Sequence, residues 1–262
     1  MNTKNILEEE VFCLKYELNT FAEGVLHTSG ERWVKGFLLH TTEKQHQDRY
    51  EFVCDYVKDK NVLDIACGSG FGSYLIATKG DAKYIVGVDL DQNALRYAEH
   101  RYGHDRINHI CADATKFTSE KQFDVIVSFE TIEHIPNYSD FIENLNGLLN
   151  HNGTLIISTP INRKTTTELR NPYHVIEWSF DDFHNLWKDK FQIEAIYLQN
   201  AAFVRNHIPL VRIKNYVKSV VLNEKNRNPK KTIFGKAWEK FEHQYNMENC
   251  IGGFQTLVLR KK

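Results

Sequence analysis

The segment 62–72, VLDIACGSGFG, together with VDLD at 88–91, constrains this chain more than any other feature. An apolar run that ends in a glycine-bearing turn reads as a buried parallel strand leading into a helix. Gly68 and Gly70 stand one residue apart at the start of that helix, where bare backbone lets N–H groups approach a ligand closely. A second apolar run, Tyr84 to Val88, ends on Asp89, 21 residues after Gly68. An acid at the tip of the second strand can accept hydrogen bonds from two ribose hydroxyls. The spacing therefore predicts a strand–helix–strand unit that binds a nucleoside.

The glycines narrow the ligand. A dinucleotide fingerprint requires a third glycine three residues after the second, and that position is Ser73. Asp64, four residues before the first glycine, would repel a pyrophosphate and attract an amino group. VLDIACGSG followed by Asp89 closely resembles motif I of the class I S-adenosylmethionine-dependent methyltransferases. A glycine turn in some other α/β fold is the competing reading. The resemblance implies a Rossmann-like α/β fold with a seven-stranded, mainly parallel sheet over roughly residues 57–200, closed by a strand near 255. It further implies that Asp64, Gly68 and Gly70 line the methionine part of S-adenosyl-L-methionine and that Asp89 holds the ribose. Asp113, in CADAT after the third strand, is implied to accept the adenine amine beside the Ala114 backbone; a turn or capping aspartate is the alternative.

After the fourth strand comes SFETIEHIP (128–136), which places Glu130, Glu133 and His134 at the carboxyl end of a strand, where open α/β sheets bind ligands. NPYHVIEWSFDDF (171–183) adds His174 after the fifth strand. A hydroxyl is a poor nucleophile until deprotonated, so a histidine here suits a general base, with the glutamates orienting it or holding substrate hydroxyls. A second reading makes Glu130, Glu133, His134 and His174 ligands of a divalent ion. The small-RNA 2′-O-methyltransferases resemble the chain at these positions and at Glu177-Trp178. A third reading is structural, with Glu133-His134 only capping the following segment. The favoured expectation is a histidine base without metal.

The substrate expectation rests on further resemblance. TSGERW (28–33), HQDRYEF (46–52), ETIEH and NPYH are similar to elements of a bacterial methyltransferase group associated with cell-surface glycan synthesis. Trp33 and Ser69 depart from that group's usual phenylalanine and acid. The resemblance implies O-methylation of a carbohydrate acceptor: a nucleotide sugar, lipid-linked glycan or polysaccharide. A quinone-type or natural-product acceptor is the alternative, and a cofactor-binding domain without transfer the outsider. Arg32 and Arg49 are candidates for a carboxylate or phosphate partner, or for surface ion pairs; Glu31 is given no role.

The chain of 262 residues has a formal net charge of −1, and the strand–helix core carries no basic stripe, so nucleic acid is not the favoured partner. Ten Lys and Arg face four Glu between 201 and 250. Within that stretch, Pro209 to Val221 alternates apolar and basic residues in a pattern that could contact an anionic membrane surface peripherally. Five cysteines without CxxC spacing and an acidic, non-apolar start predict a reduced, cytoplasmic protein. Four segments are expected: an N-terminal helical extension or lid (1–56), the cofactor-binding core (57–200), a basic helical insertion (201–250) and the last core strand (251–262). The oligomeric state is not readable.

Overall fold

Beyond its first residue, Asn61–Ile65 (β1) is apolar apart from Asp64, and its last four residues are all buried, as a strand covered on both faces requires. The computed structural model describes residues 3–26, 32–37, 40–169, 171–204, 232–234, 236–242 and 246–262. Around β1 the sheet assembles as β3 (Ile107–Cys111), β2 (Tyr84–Asp89), β1, β4 (Phe123–Phe129), β5 (Leu149–Pro160), β9 (Cys250–Lys261), β6 (Phe191–Val204) and β7 (Thr232–Phe234). A two-residue strand, β8 (Glu239–Lys240), also pairs with β6. The first five strands are mutually parallel, whereas β9 runs antiparallel between β5 and β6. Strand order reverses at β1 and β4, and such a switch point opens a crevice beyond the carboxyl ends of the two strands.

Helices cover both faces. Beneath one face lie α5 (Tyr138–Leu148) and α6 (Phe180–Asn185), with Phe141, Leu145, Trp178, Phe183 and Trp187 packed on Leu63, Ile65, Leu257 and Leu259. Against the other, α2 (His40–Val53) and α3 (Phe71–Thr78) bring Tyr50, Val53, Phe71 and Ile76 onto Val62, Ile85, Val125 and Val127. Each such side chain, fully buried, contributes about 1.5–3 kcal/mol. The helix α4 (Gln92–Tyr102) is capped by Asp91, whose carboxylate accepts from the Asn93 and Ala94 N–H groups. It carries the long helix α1 (Thr3–Leu26) on its outer side.

Several sequence expectations need correction. Within the expected N-terminal helical extension, the second helix runs from His40 to Val53 and stops short of residue 56. Helices were expected between 201 and 250, yet Ala201 to Val204 continue β6, and 232–234 and 239–240 are strands paired to it. Burial alternates through Ala201, Ala202 and Phe203, the period of a strand. The last strand begins at Cys250. Residues 205–231, including the amphipathic run 209–221, and Glu31 lie outside the described residues. Among the described residues, no helix is long and apolar enough to cross a membrane.

Candidate active site

Beyond the ends of β1 and β4 opens a cavity of about 900 Å³, a size that holds a cofactor and a small acceptor. Two non-glycine residues at its floor have left-handed backbone: Ala66 after β1 (φ 63°) and Glu130 after β4 (φ 50°). Such conformations cost roughly 1–3 kcal/mol and persist where surrounding structure fixes them. Gly68 follows Ala66 at φ 57°, and a Cβ built on it meets nothing within 4 Å, so its missing side chain leaves room in the cavity. Its N–H donates to Asp89 Oδ2 (2.8 Å), and Asp91 N–H donates to Oδ1 (2.9 Å). The carboxylate is thereby aimed at the cavity, each oxygen retaining acceptor capacity.

Gly70 and Asp64 have different surroundings from Gly68. A Cβ on Gly70 (φ 81°) would lie 2.4 Å from Ala98 Cβ, so this glycine lets α4 pack against the start of α3. Asp64 is buried one layer below the cavity. It accepts from Tyr50 Oη (3.0 Å) and Ser73 Oγ (2.6 Å), and burial pushes its carboxyl up to about 6 against the pull of those two donors. Gly72 leaves the space that the Tyr50 ring fills, since a Cβ there would sit 2.1 Å from the ring. Asp113 and Ala114 both line the cavity. Asp113 Oδ1 accepts from Thr115 N–H (2.8 Å) and Oγ1 (2.7 Å), which closes a turn and holds its carboxyl below the usual range.

The four acceptor-side residues come together. Glu130 Oε1 accepts from Ser158 Oγ (2.6 Å) and lies 4.0 Å from the buried Arg49 guanidinium. Glu133 is fully buried: Thr159 Oγ1 donates to Oε2 (3.1 Å), while Oε1 has no hydrogen-bond partner. Burial first, and the Glu130 charge second, lift Glu133 well above the ordinary carboxylate range. His134 lines the cavity, and its Nδ1 sits 3.0 Å from the Tyr173 carbonyl, so Nδ1 carries the proton and Nε2 is the basic nitrogen. The His174 ring stands edge-on to it at 4.9 Å. Glu177 (2.8 Å) and Asn171 (3.0 Å) engage the two nitrogens of His174. Ligand atoms of Glu133, His134 and His174 lie within 4.8 Å of one another; Glu130 is outside that trio.

The other walls come from residues that sequence reasoning left unassigned. On α2, His46 and Tyr50 stand four apart and share a face; His46 stacks on Trp33 (5.4 Å) and Tyr50 meets Phe129 edge-on. On α1, Phe12, Tyr16 and Thr20 repeat the same spacing along the cavity. That i, i+4 pattern was the available signal. Arg32 also lines the cavity, bonded to Asp91 and to Tyr16 Oη. Arg49 is no surface residue: only 1% of it is exposed, and it donates to Gln199 Oε1 at 2.6 Å.

A family model described as a methyltransferase domain matches residues 57–202. A probable S-adenosylmethionine-dependent methyltransferase of Mycobacterium tuberculosis is 29% identical over 177 residues, which is 65% of this chain and 63% of that protein. The chain thus spans less than two thirds of that relative. The ubiquinone biosynthesis O-methyltransferase of Coxiella burnetii is 34% identical over 110 residues, covering 41% and 46% of the two chains. Among solved structures, the N-methyltransferase NodS of Bradyrhizobium japonicum with S-adenosyl-L-homocysteine superposes with a TM-score of 0.57 at 12% identity, covering 93% of this chain and 98% of that one. The [4+2]-cyclase SpnF reaches 0.60 at 13% identity, over 95% and 93%. At such identities the structural likeness concerns the fold alone, on which unrelated chemistries are built.

Proposed function

The chain belongs to the methyltransferase-domain family, and on that premise we propose that it moves a methyl group from S-adenosyl-L-methionine to a hydroxyl of a small acceptor. The observation that carries this reading is that Asp89 and His134 line one cavity, so a ribose-binding acid and a proton acceptor share a single chamber. The residues fit the cofactor: Gly68 leaves open space, Asp89 offers acceptor capacity, and Asp113 with Ala114 forms the wall proposed for the adenine. Asp64 supports this arrangement from below, through Tyr50 and Ser73.

When bound, S-adenosyl-L-methionine supplies an electrophilic methyl on a sulfonium. The protein's own part is alignment and proton removal. His134, protonated at Nδ1 by its bond to the Tyr173 carbonyl, takes the acceptor hydroxyl's proton at Nε2. His174, set by Glu177 and Asn171, packs on His134 and positions it. Glu130, beside Ser158 and Arg49, orients the acceptor.

A sugar is the acceptor class we favour, supported by the resemblance to glycan-associated methyltransferases and by the polar rim of Glu130, Thr131 and His134. The aromatic walls, Phe12, Tyr16, Trp33 and Phe129, favour a planar phenolic acceptor as the second reading. Screening nucleotide sugars, glycan acceptors and phenols with radiolabelled cofactor separates the two. Replacing His134 by Ala should cut turnover by about 10²–10⁴ with cofactor affinity nearly intact, and the pH–rate profile should lose its ascending limb. Turnover should be indifferent to chelator. Loss of activity on chelation, restored by added metal, would instead assign Glu133, His134 and His174 as ligands of a divalent ion. Full activity in both the His134→Ala and His174→Ala variants would place the acceptor elsewhere.

A further inference from the structure

The helix α1 has two faces of opposite use. Its inner face docks on α4 through polar and aromatic contacts: Glu9 pairs with Arg96, Glu17 accepts from Tyr97 and Arg101, and Tyr16 stacks on Tyr97 at 4.8 Å. The outer face carries Leu7, Val11, Leu14, Leu18 and Phe21, each between 47% and 63% exposed. They follow one another in steps of four, three, four and three residues. At about 100° per residue this confines them to a stripe roughly 80° wide. The step pattern averages 3.5 residues, the repeat of a helix that packs along another helix, knobs into holes. A single protein exposing such a stripe from Leu7 to Phe21 is unusual, because contiguous apolar patches of this kind mark interaction sites.

We propose that this stripe is the seam of a homodimer, in which α1 packs antiparallel against α1 of a second copy. An antiparallel two-fold pairing sets Leu7 against the partner's Leu18 and Val11 against the partner's Leu14, each contact occurring twice, as an isologous interface demands. In that register Glu8 flanks one side of the seam opposite the partner's Lys15, again twice, while on the other side Glu10 and Glu17 are each paired with Arg101 of their own chain. A parallel pairing would not bring Glu8 and the partner's Lys15 together. An anionic membrane is the wrong occupant for the stripe: α1 carries Glu8, Glu9, Glu10, Glu17 and Glu23 against Lys4 and Lys15, the reverse of a membrane-surface helix. The inner flank of the same helix supplies Phe12, Tyr16 and Thr20 to the cavity. Dimerisation therefore holds the cavity wall in place from outside.

Sedimentation velocity of the full chain at tens of micromolar should show a dimer. The double substitution Leu14→Glu with Leu18→Glu should give a monomer with unchanged far-ultraviolet circular dichroism. Orientation is read by cysteine pairing after the exposed Cys111 is changed to Ser. Leu7→Cys and Leu18→Cys chains, mixed and oxidised, should form a disulfide-linked dimer that neither forms alone. A monomeric wild-type protein, or a dimer that survives the double substitution, would overturn the proposal. So would cross-linking of each cysteine variant with itself, and this readout stands even where the glutamate variant fails to fold.

Discussion

Asp89 illustrates what one residue can do when two backbone donors fix it. Its carboxylate takes Gly68 N–H on one oxygen and Asp91 N–H on the other, so it shapes the glycine loop and presents itself to the cavity in one arrangement. Asp89→Ala should weaken binding of S-adenosyl-L-homocysteine by roughly 1.5–3 kcal/mol, the worth of a hydrogen bond to a charged group. Calorimetry that found unchanged affinity would remove Asp89 from the site. This residue was legible in sequence because strand, turn and spacing all pointed to it. The left-handed Ala66 and Glu130 were not, since neither alanine nor glutamate is among the residue types that favour positive φ. Nor was the partnership of Asp64 with Tyr50 and Ser73, which depends on how α2, just ahead of β1 in the chain, packs back against it.

At the scale of elements, the two motif glycines separate. Gly70 serves the junction of α3 with α4, where a Cβ would sit 2.4 Å from Ala98 Cβ at φ 81°. Gly70→Ala should therefore destabilise the fold by about 2–4 kcal/mol, overpacking and backbone strain together, seen as a lowered melting temperature. Gly68→Ala meets no neighbour, so it should cost only about 1 kcal/mol of stability and show its effect as weakened cofactor binding. Equal melting temperatures for the two variants would contradict this division. Elements with local signals were legible: Asp91 caps α4, Ser179 caps α6, and the buried runs of β1, β2 and β4 form parallel strands. At 201–204 a strand stands where a helix was expected, because its character comes from pairing with β9, some 50 residues on, and such long-range pairing overrides local pattern.

For the whole molecule, the consequence of burying Asp64 is a pH dependence of stability with an unusual sign. Its carboxyl is pushed from 3.8 to about 6, so between those values the folded chain holds a proton that the unfolded chain has released. Stability then falls as pH rises through this window and is level above it; the full shift corresponds to about 3 kcal/mol. Surface acids oppose this trend. Asp91, though its partial burial pulls the other way, is held low by Arg32 and the N–H groups of α4, and that stabilisation is lost as pH falls. The sum over all groups hides Asp64, but a difference isolates it. The unfolding free energy of the wild type minus that of Asp64→Asn should drop by about 2 kcal/mol between pH 4 and 6.5 and change little above. Denaturant titrations of both proteins across that range measure it. A difference that does not change with pH would mean that Asp64 ionises as readily in the fold as out of it, and that the anion beneath the glycine loop carries no cost. If the drop is found, the anion is a standing cost at neutral pH, borne beneath the cavity where a positively charged ligand would offset it. Cofactor binding should then strengthen as pH rises through about 6 in the wild type and not in Asp64→Asn.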